Sequence, residues 1–346
     1  LRAIAVLAVM IFHADKHLLP AGFLGVDLFF VISGFIITRQ IINPDRQFVW
    51  TSFYWGRIKR IAPAYLVLLV ITSALAAVLF IPQDFNWFRQ SLKSALLFNS
   101  NNYFAGFGDY FAPSSHELPL LHTWSLAIEM QFYFILPPVL FLLPKKLRIP
   151  FFIIVGLLLL VWSEKRLGNN AQVVYFSLLS RIPEFLWGVV LACLGGSKVI
   201  KARYRNSISI LGLMIVFLSF WSISEKHYPG LWTIFPCVGA FMIIWANNGF
   251  ANRLLSNRFL VWIGAISYSL YLWHWPILTF IRYVSGVYEL SLSGWGVYVL
   301  LSFLLGWLSY KIIESPLRLS LYKNVLLVSL AIFLMANAVV VIYGKK

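Results

Sequence analysis

The sequence has 346 residues, 60% hydrophobic and only 12% charged, with 30 Phe, 16 Tyr and 14 Trp. A soluble domain carries about one quarter charged residues, so this composition excludes an ordinary soluble enzyme and predicts an all-α, polytopic transmembrane helical bundle. The net charge of +16 does not argue for nucleic acid, because the cations fall in connections between apolar segments, as membrane insertion requires, and not on one face or tail.

Apolar segments near membrane-crossing length fall at 1–19, 22–41, 61–81, 119–143, 149–163, 178–195, 207–223, 230–246, 259–281, 294–313 and 324–343. They predict about eleven spans in one membrane domain, 1–346, with no internal repeat or low-complexity linker. Placing the N-terminus in the cytoplasm puts 18 of the 28 Lys and Arg on the inner side, which predicts N-terminus inside and C-terminus outside. The first residue is not Met and already sits in an apolar helix, so a short lead is expected before it; no cleavable signal peptide is expected, since that helix carries polar residues of its own. The long connection 82–118 is expected outside, as a structureless lid or substrate surface, with a weakly amphipathic piece at 87–98 lying along the interface. Cys193 and Cys237 sit in apolar segments, where packing and no disulfide are expected.

Ionisable residues inside spans are costly and usually mark a pathway or a site. In the first segment Arg2 and His13 are eleven positions apart, which on a helix leaves them within about 20° of one face and roughly 16 Å apart along the axis. His13 and His17 are the one His pair at helical spacing; with no third ligand, no metal site is expected. Asp27 follows near the outer end of the second segment, either the partner of a buried cation or a catalyst, with Ser33 deeper in. Gly22, Gly25 and Gly34 in that segment allow close approach of a helix or a thin ligand. Arg57 and Arg60 stand one turn apart just before the third segment begins, as topogenic charge or as a fork for an anionic ligand.

In the fourth segment His122, Glu129 and Tyr133 share one side by spacing, a column that can handle protons or tie helices together. In the ninth, Ser267, Tyr271 and His274 share a face, with Pro276 kinking the helix beside them; His274 is a substrate contact or a packing residue. Glu314 and Arg318 form a last charged patch at the cytoplasmic surface, where Glu314 can pair with an arginine. No P-loop glycine pattern and no Gly-x-Ser-x-Gly elbow is present.

Taken in order, Arg2-x10-His13, Gly25-Val-Asp27-Leu-Phe-Phe-Val-Ile-Ser33-Gly34-Phe, Phe53-Tyr54-Trp55-Gly56-Arg57-Ile-Lys59-Arg60-Ile-Ala-Pro63, Trp124-Ser125-Leu-Ala-Ile-Glu129-Met-Gln131-Phe-Tyr133, Ser267-Tyr268-Ser269-Leu-Tyr271-Leu-Trp273-His274 and Glu314-Ser-Pro316 resemble the acyltransferase 3 family of bacterial membrane acyltransferases. The resemblance covers essentially the whole chain. It is strongest to the branch that acetylates O-antigen, in which an extra final helix, here about 320–346, leads to an extracytoplasmic SGNH domain; such a domain is expected to have been left off or lost. One departure is Met130, where the family often has a second acidic residue.

The resemblance implies an inner-membrane O-acyltransferase with no permanently bound cofactor. Its donor would be cytoplasmic acyl-CoA, usually acetyl-CoA, and its acceptor an extracytoplasmic glycan or lipid-linked saccharide such as O-antigen. It assigns donor binding to Arg2, Arg57 and Arg60, and catalysis to His13 as general base or acyl carrier, with Asp27 and Glu129 orienting or balancing it. Ser33, His122, Tyr133, Ser267, Tyr271 and His274 then line the substrate path. A proton-coupled secondary transporter is the competing reading, since spans with embedded acids and histidines suit it equally. Against it stands the lack of matched broken helices in two halves. Release of CoA from labelled acetyl-CoA separates the two.

Overall fold

The computed structural model describes residues 1–45, 47–107, 118–195 and 201–316, together with 331, 332, 334–337 and 340. Among the described residues the regular elements are all helical. Backbone groups in hydrocarbon have no water to bond, and a helix satisfies them within one segment. The α-helices run in order α1 (Arg2–Ala14), α2 (Gly25–Ile41), α3 (Trp50–Leu79), α4 (Pro82–Leu96), α5 (Ser100–Ala105), α6 (Thr123–Leu142), α7 (Lys145–Phe176), α8 (Leu178–Cys193), α9 (Ala202–Ser222), α10 (Ile234–Ala246), α11 (Phe250–Leu255), α12 (Arg258–Ser285) and α13 (Leu292–Ser309).

Six helices among the described residues are long and apolar enough to cross a membrane, and two more, Arg2–Ala14 and Leu231–Ala246, are apolar but shorter. Each of the first ten apolar segments of the sequence overlaps one α-helix, eight of them these helices and the other two α8 and α12. The eleventh, 324–343, falls largely outside the described residues.

The chain divides into two compact units: 1–47 with 128–265, and 48–127 with 266–346. In the first, α2 crosses α8 with almost no side chain between them. A Cβ on Gly34 would collide with the Phe185 carbonyl, and one on Gly188 with the Val31 carbonyl and the backbone of Phe35. Lipid tails are as apolar as leucine, so such helices associate through close van der Waals contact, which glycine permits. The rings of Phe30 and Phe132 stack on Phe185 at 4.3 and 4.1 Å beside the crossing. The glycines of this segment thus serve helix packing, Gly22 and Gly25 against the backbone of α1 and Gly34 against α8.

In the second unit, Tyr268 of α12 donates to the Ile61 carbonyl of α3 at 2.8 Å. Tyr283 of α12 donates to Asp84 at 2.8 Å and accepts from the Ile81 amide at 3.2 Å, fixing the start of α4. Pro82 begins that helix, where its missing N–H costs nothing, and Phe85, Phe88, Leu92 and Ala95 form its buried stripe.

Four local expectations change. The connection 82–118 is no structureless loop, because α4 and α5 occupy 82–96 and 100–105. Helix α3 begins at Trp50, so Arg57 and Arg60 lie inside a helix; an apolar window registers only the hydrocarbon-crossing part of a helix that starts in the interface. Helix α1 ends at Ala14, where Asp15 turns extended and its carboxylate accepts the His17 amide at 2.8 Å. This local turn competes with the helix and removes His17 from helical register with His13. His122 precedes α6, so it shares no helix face with Glu129. Among the described residues Cys193 and Cys237 are free thiols.

Candidate active site

Within the first unit, α1 carries both Arg2 and His13, as the spacing predicts. Arg2 is half-buried with its guanidinium 6.0 Å from the Phe29 ring. His13 is buried in the last turn, its ring 5.4 Å from Phe12. A single short helix therefore holds a cation at its start and an imidazole at its end.

The second grouping in this unit is built on α2 and α6. Ser33 and Tyr133 both donate to Oε1 of Glu129, and the two hydroxyls are 3.4 Å apart. Glu129 and Tyr133 meet because positions four apart are neighbours on a helix. Two donors on one oxygen fix the direction of the carboxyl group. Glu129 is half-buried while Tyr133 is buried, so this carboxylate is oriented without being sealed.

Asp27 belongs elsewhere. Its Oδ1 lies 3.4 Å from Nη1 of Arg181, and the same nitrogen donates to Glu184 at 2.9 Å. The guanidinium stacks over Tyr175 at 4.4 Å and Tyr228 at 5.1 Å, and its Nε donates to the Tyr175 carbonyl at 2.9 Å. Tyr228, from the connector between α9 and α10, donates to Asp27. Burial, reinforced by the Asp27 and Glu184 charges, pushes the Tyr228 phenol well above its ordinary range, so it acts there as a donor. Rings link this cluster to α1, with Phe23 4.9 Å from Tyr228 and 5.3 Å from Phe12, the neighbour of His13.

Of the two sequence readings of Asp27, the geometry realises partnership with a buried cation. Arg181 lies within the apolar segment 178–195 and is buried inside α8. Arg181 and Glu184, three apart in an apolar segment, carried the signal that would have marked them.

Within the second unit, His122, Ser125, Tyr271 and His274 come together, all buried. The Tyr271 hydroxyl donates to the His122 carbonyl at 3.0 Å and lies 2.7 Å from Ser125 Oγ. His274 Nδ1 is 2.6 Å from the Tyr271 carbonyl; a carbonyl only accepts, so Nδ1 donates there. The two imidazoles sit 6.0 Å apart. Ser267 is buried on the same helix. On α3, Arg57 lies 5.6 Å from the Phe53 ring, with Arg60 one turn further and half-buried. Glu314 is buried in a π-helical turn, 310–314, and accepts from Ser269 at 3.0 Å. Arg318 lies outside the described residues. Among the described residues no three His, Cys, Asp or Glu side chains gather as a metal centre would require.

An acyltransferase 3 family model, described as "Acyltransferase domain", matches residues 1–344. The protein named "Putative O-acetyltransferase SACOL0978" of Staphylococcus aureus strain COL is 34% identical over 347 residues, covering 92% of this chain and 56% of its own length. Two proteins named O-acetyltransferase OatA, from Staphylococcus aureus strains NCTC 8325 and COL, are 33% identical over 93% of this chain and 57% of theirs. The chain thus spans a little over half the length of these relatives. No solved structure gave a significant match.

Proposed function

Because this chain belongs to the acyltransferase 3 family, we propose that it is the membrane domain of an O-acetyltransferase. The acyl group comes from cytoplasmic acetyl-CoA and passes to a hydroxyl of an extracytoplasmic or lipid-linked glycan, such as O-antigen. The observation that carries this reading is the family match across residues 1–344. The relatives' names support acetyl as the group transferred.

In this reading His13 either removes the acceptor's hydroxyl proton while the thioester carbonyl is attacked, or takes the acyl group itself and passes it on, CoA leaving as the thiolate in both cases. Glu129, aimed by Ser33 and Tyr133, is the carboxylate that balances charge developing on the imidazole. Arg57 and Arg60 on α3 meet the phosphates of the donor, with Arg2 a further cation on α1. The buried His122, Tyr271 and His274 line a path for substrate. Eleven spans, a cytoplasmic N-terminus, the bacterial inner membrane and an SGNH-type partner domain, fused or separate, complete the proposal; the basic bias of the connections supports the orientation.

The test is purified protein in proteoliposomes with labelled acetyl-CoA and a glycan acceptor. The proposal expects CoA release with label on the glycan or the protein. Flux of a solute with no CoA release would replace it by transport.

A further inference from the structure

The buried cluster around Arg181 contains more negative charge than its one cation balances. Asp27 from α2 and Glu184 from α8 both reach the same nitrogen of Arg181, at 3.4 and 2.9 Å, and the three side chains are 1%, 0% and 1% exposed for Asp27, Glu184 and Arg181. Among the described residues the other groups recorded against them are neutral: Tyr175 from α7 beneath the guanidinium, Tyr228 from the α9–α10 connector on Asp27, and the buried thiol of Cys237 on α10. Among the described residues Arg181 is the one cation that meets these two carboxylates. Two carboxylates against one guanidinium leave a net negative charge sealed from water. Neutralising one carboxyl is far cheaper than burying that charge unpaired.

We propose that Asp27 and Glu184 hold one exchangeable proton between them, with Arg181 as their shared counter-ion and Tyr228 as the entry. Tyr228 already donates to Asp27, and its neighbours Lys226 and His227 are exposed on the connector. A proton enters when Tyr228 passes its hydroxyl proton to Asp27 and takes another from the connector side. No electron moves, and the cluster gains or loses one unit of charge. The use of this store rests on the acyl-transfer reading: ester formation strips a proton from a hydroxyl, the departing thiolate takes one up, and a buried store accommodates the interval between the two.

Infrared difference spectroscopy of the purified full chain in H2O and D2O tests the store without any acyl transfer. Wild type at neutral pH should show a neutral-carboxyl C=O band that shifts in D2O. Glu184→Gln and Asp27→Asn should each lose it, because the single remaining carboxylate pairs with Arg181. Both single variants should stay folded, whereas the double variant, with a bare guanidinium, should not accumulate. Tyr228→Phe should keep the band and slow its exchange. A wild type lacking the band overturns the proposal, as does a band unchanged in both variants, or exchange as fast in Tyr228→Phe as in wild type. So does a band-free protein stabilised by added sodium, since a bound cation would then balance the charge. An inactive protein that shows the band defeats the acyl-transfer reading alone, and an active one without it defeats the proton store alone.

Discussion

Arg181 on α8 reaches Asp27 on α2 at 3.4 Å, with each side chain 1% exposed. The cation that the second span needs is supplied from a helix more than 150 residues further along the chain. Removing one partner of a buried pair leaves an uncompensated charge and costs about 3–5 kcal/mol. Arg181→Met should therefore lower the thermal midpoint of the detergent-solubilised protein and its amount in membranes. An unchanged midpoint would contradict the assigned pairing.

The α2–α8 crossing predicts a different kind of sensitivity. Gly34→Val and Gly188→Val each push a side chain into opposing backbone, which cannot give way as a side-chain tip can; overpacking costs about 1–3 kcal/mol or more. Gly56→Ala is the control, because a Cβ there meets nothing within 4 Å and alanine favours a helix by up to about 1 kcal/mol. Thermal stability should fall for the first two and hold or rise for the third.

Glu129 and its two donors should separate by magnitude. Glu129→Gln removes the carboxylate assigned above to balancing the proposed base and is expected to slow acetyl transfer by roughly 10²-fold or more. Ser33→Ala and Tyr133→Phe each remove one hydrogen bond, worth about 0.5–1.5 kcal/mol, so each should slow transfer by about tenfold or less. Rates normalised to folded protein decide it; equal losses from all three would assign Glu129 to helix packing.

Arg57→Lys and Arg60→Lys keep the charge and lose the planar fork that suits phosphate. Each should raise KM for acetyl-CoA several-fold with kcat nearly unchanged, the signature of lost uniform binding. No change in KM would leave these arginines as topology determinants.

How much of this was legible beforehand differs by feature. The helical class and the positions of the first ten apolar segments follow from hydropathy, because the bilayer imposes length and apolarity on whatever crosses it. Glu129 with Tyr133, and Tyr271 with His274, were visible because short helical spacings place side chains together whatever the tertiary fold. The Asp27–Arg181 pair was not, since it joins residues 154 positions apart and depends on which helix lies beside α2. His122 misled for a local reason: the helix starts one residue after it, and an apolar pattern does not mark where the first helical turn closes. The start of α3 at Trp50 does not show in hydropathy, because interfacial Trp and Tyr dilute it while still forming helix.

The most direct test of the central claim is single-turnover acetyl transfer from labelled acetyl-CoA by His13→Ala, at matched membrane levels of folded protein. The account predicts CoA release and label transfer reduced by about 10²–10⁴-fold, the range expected for removing a general base. Transfer at the wild-type rate would contradict it.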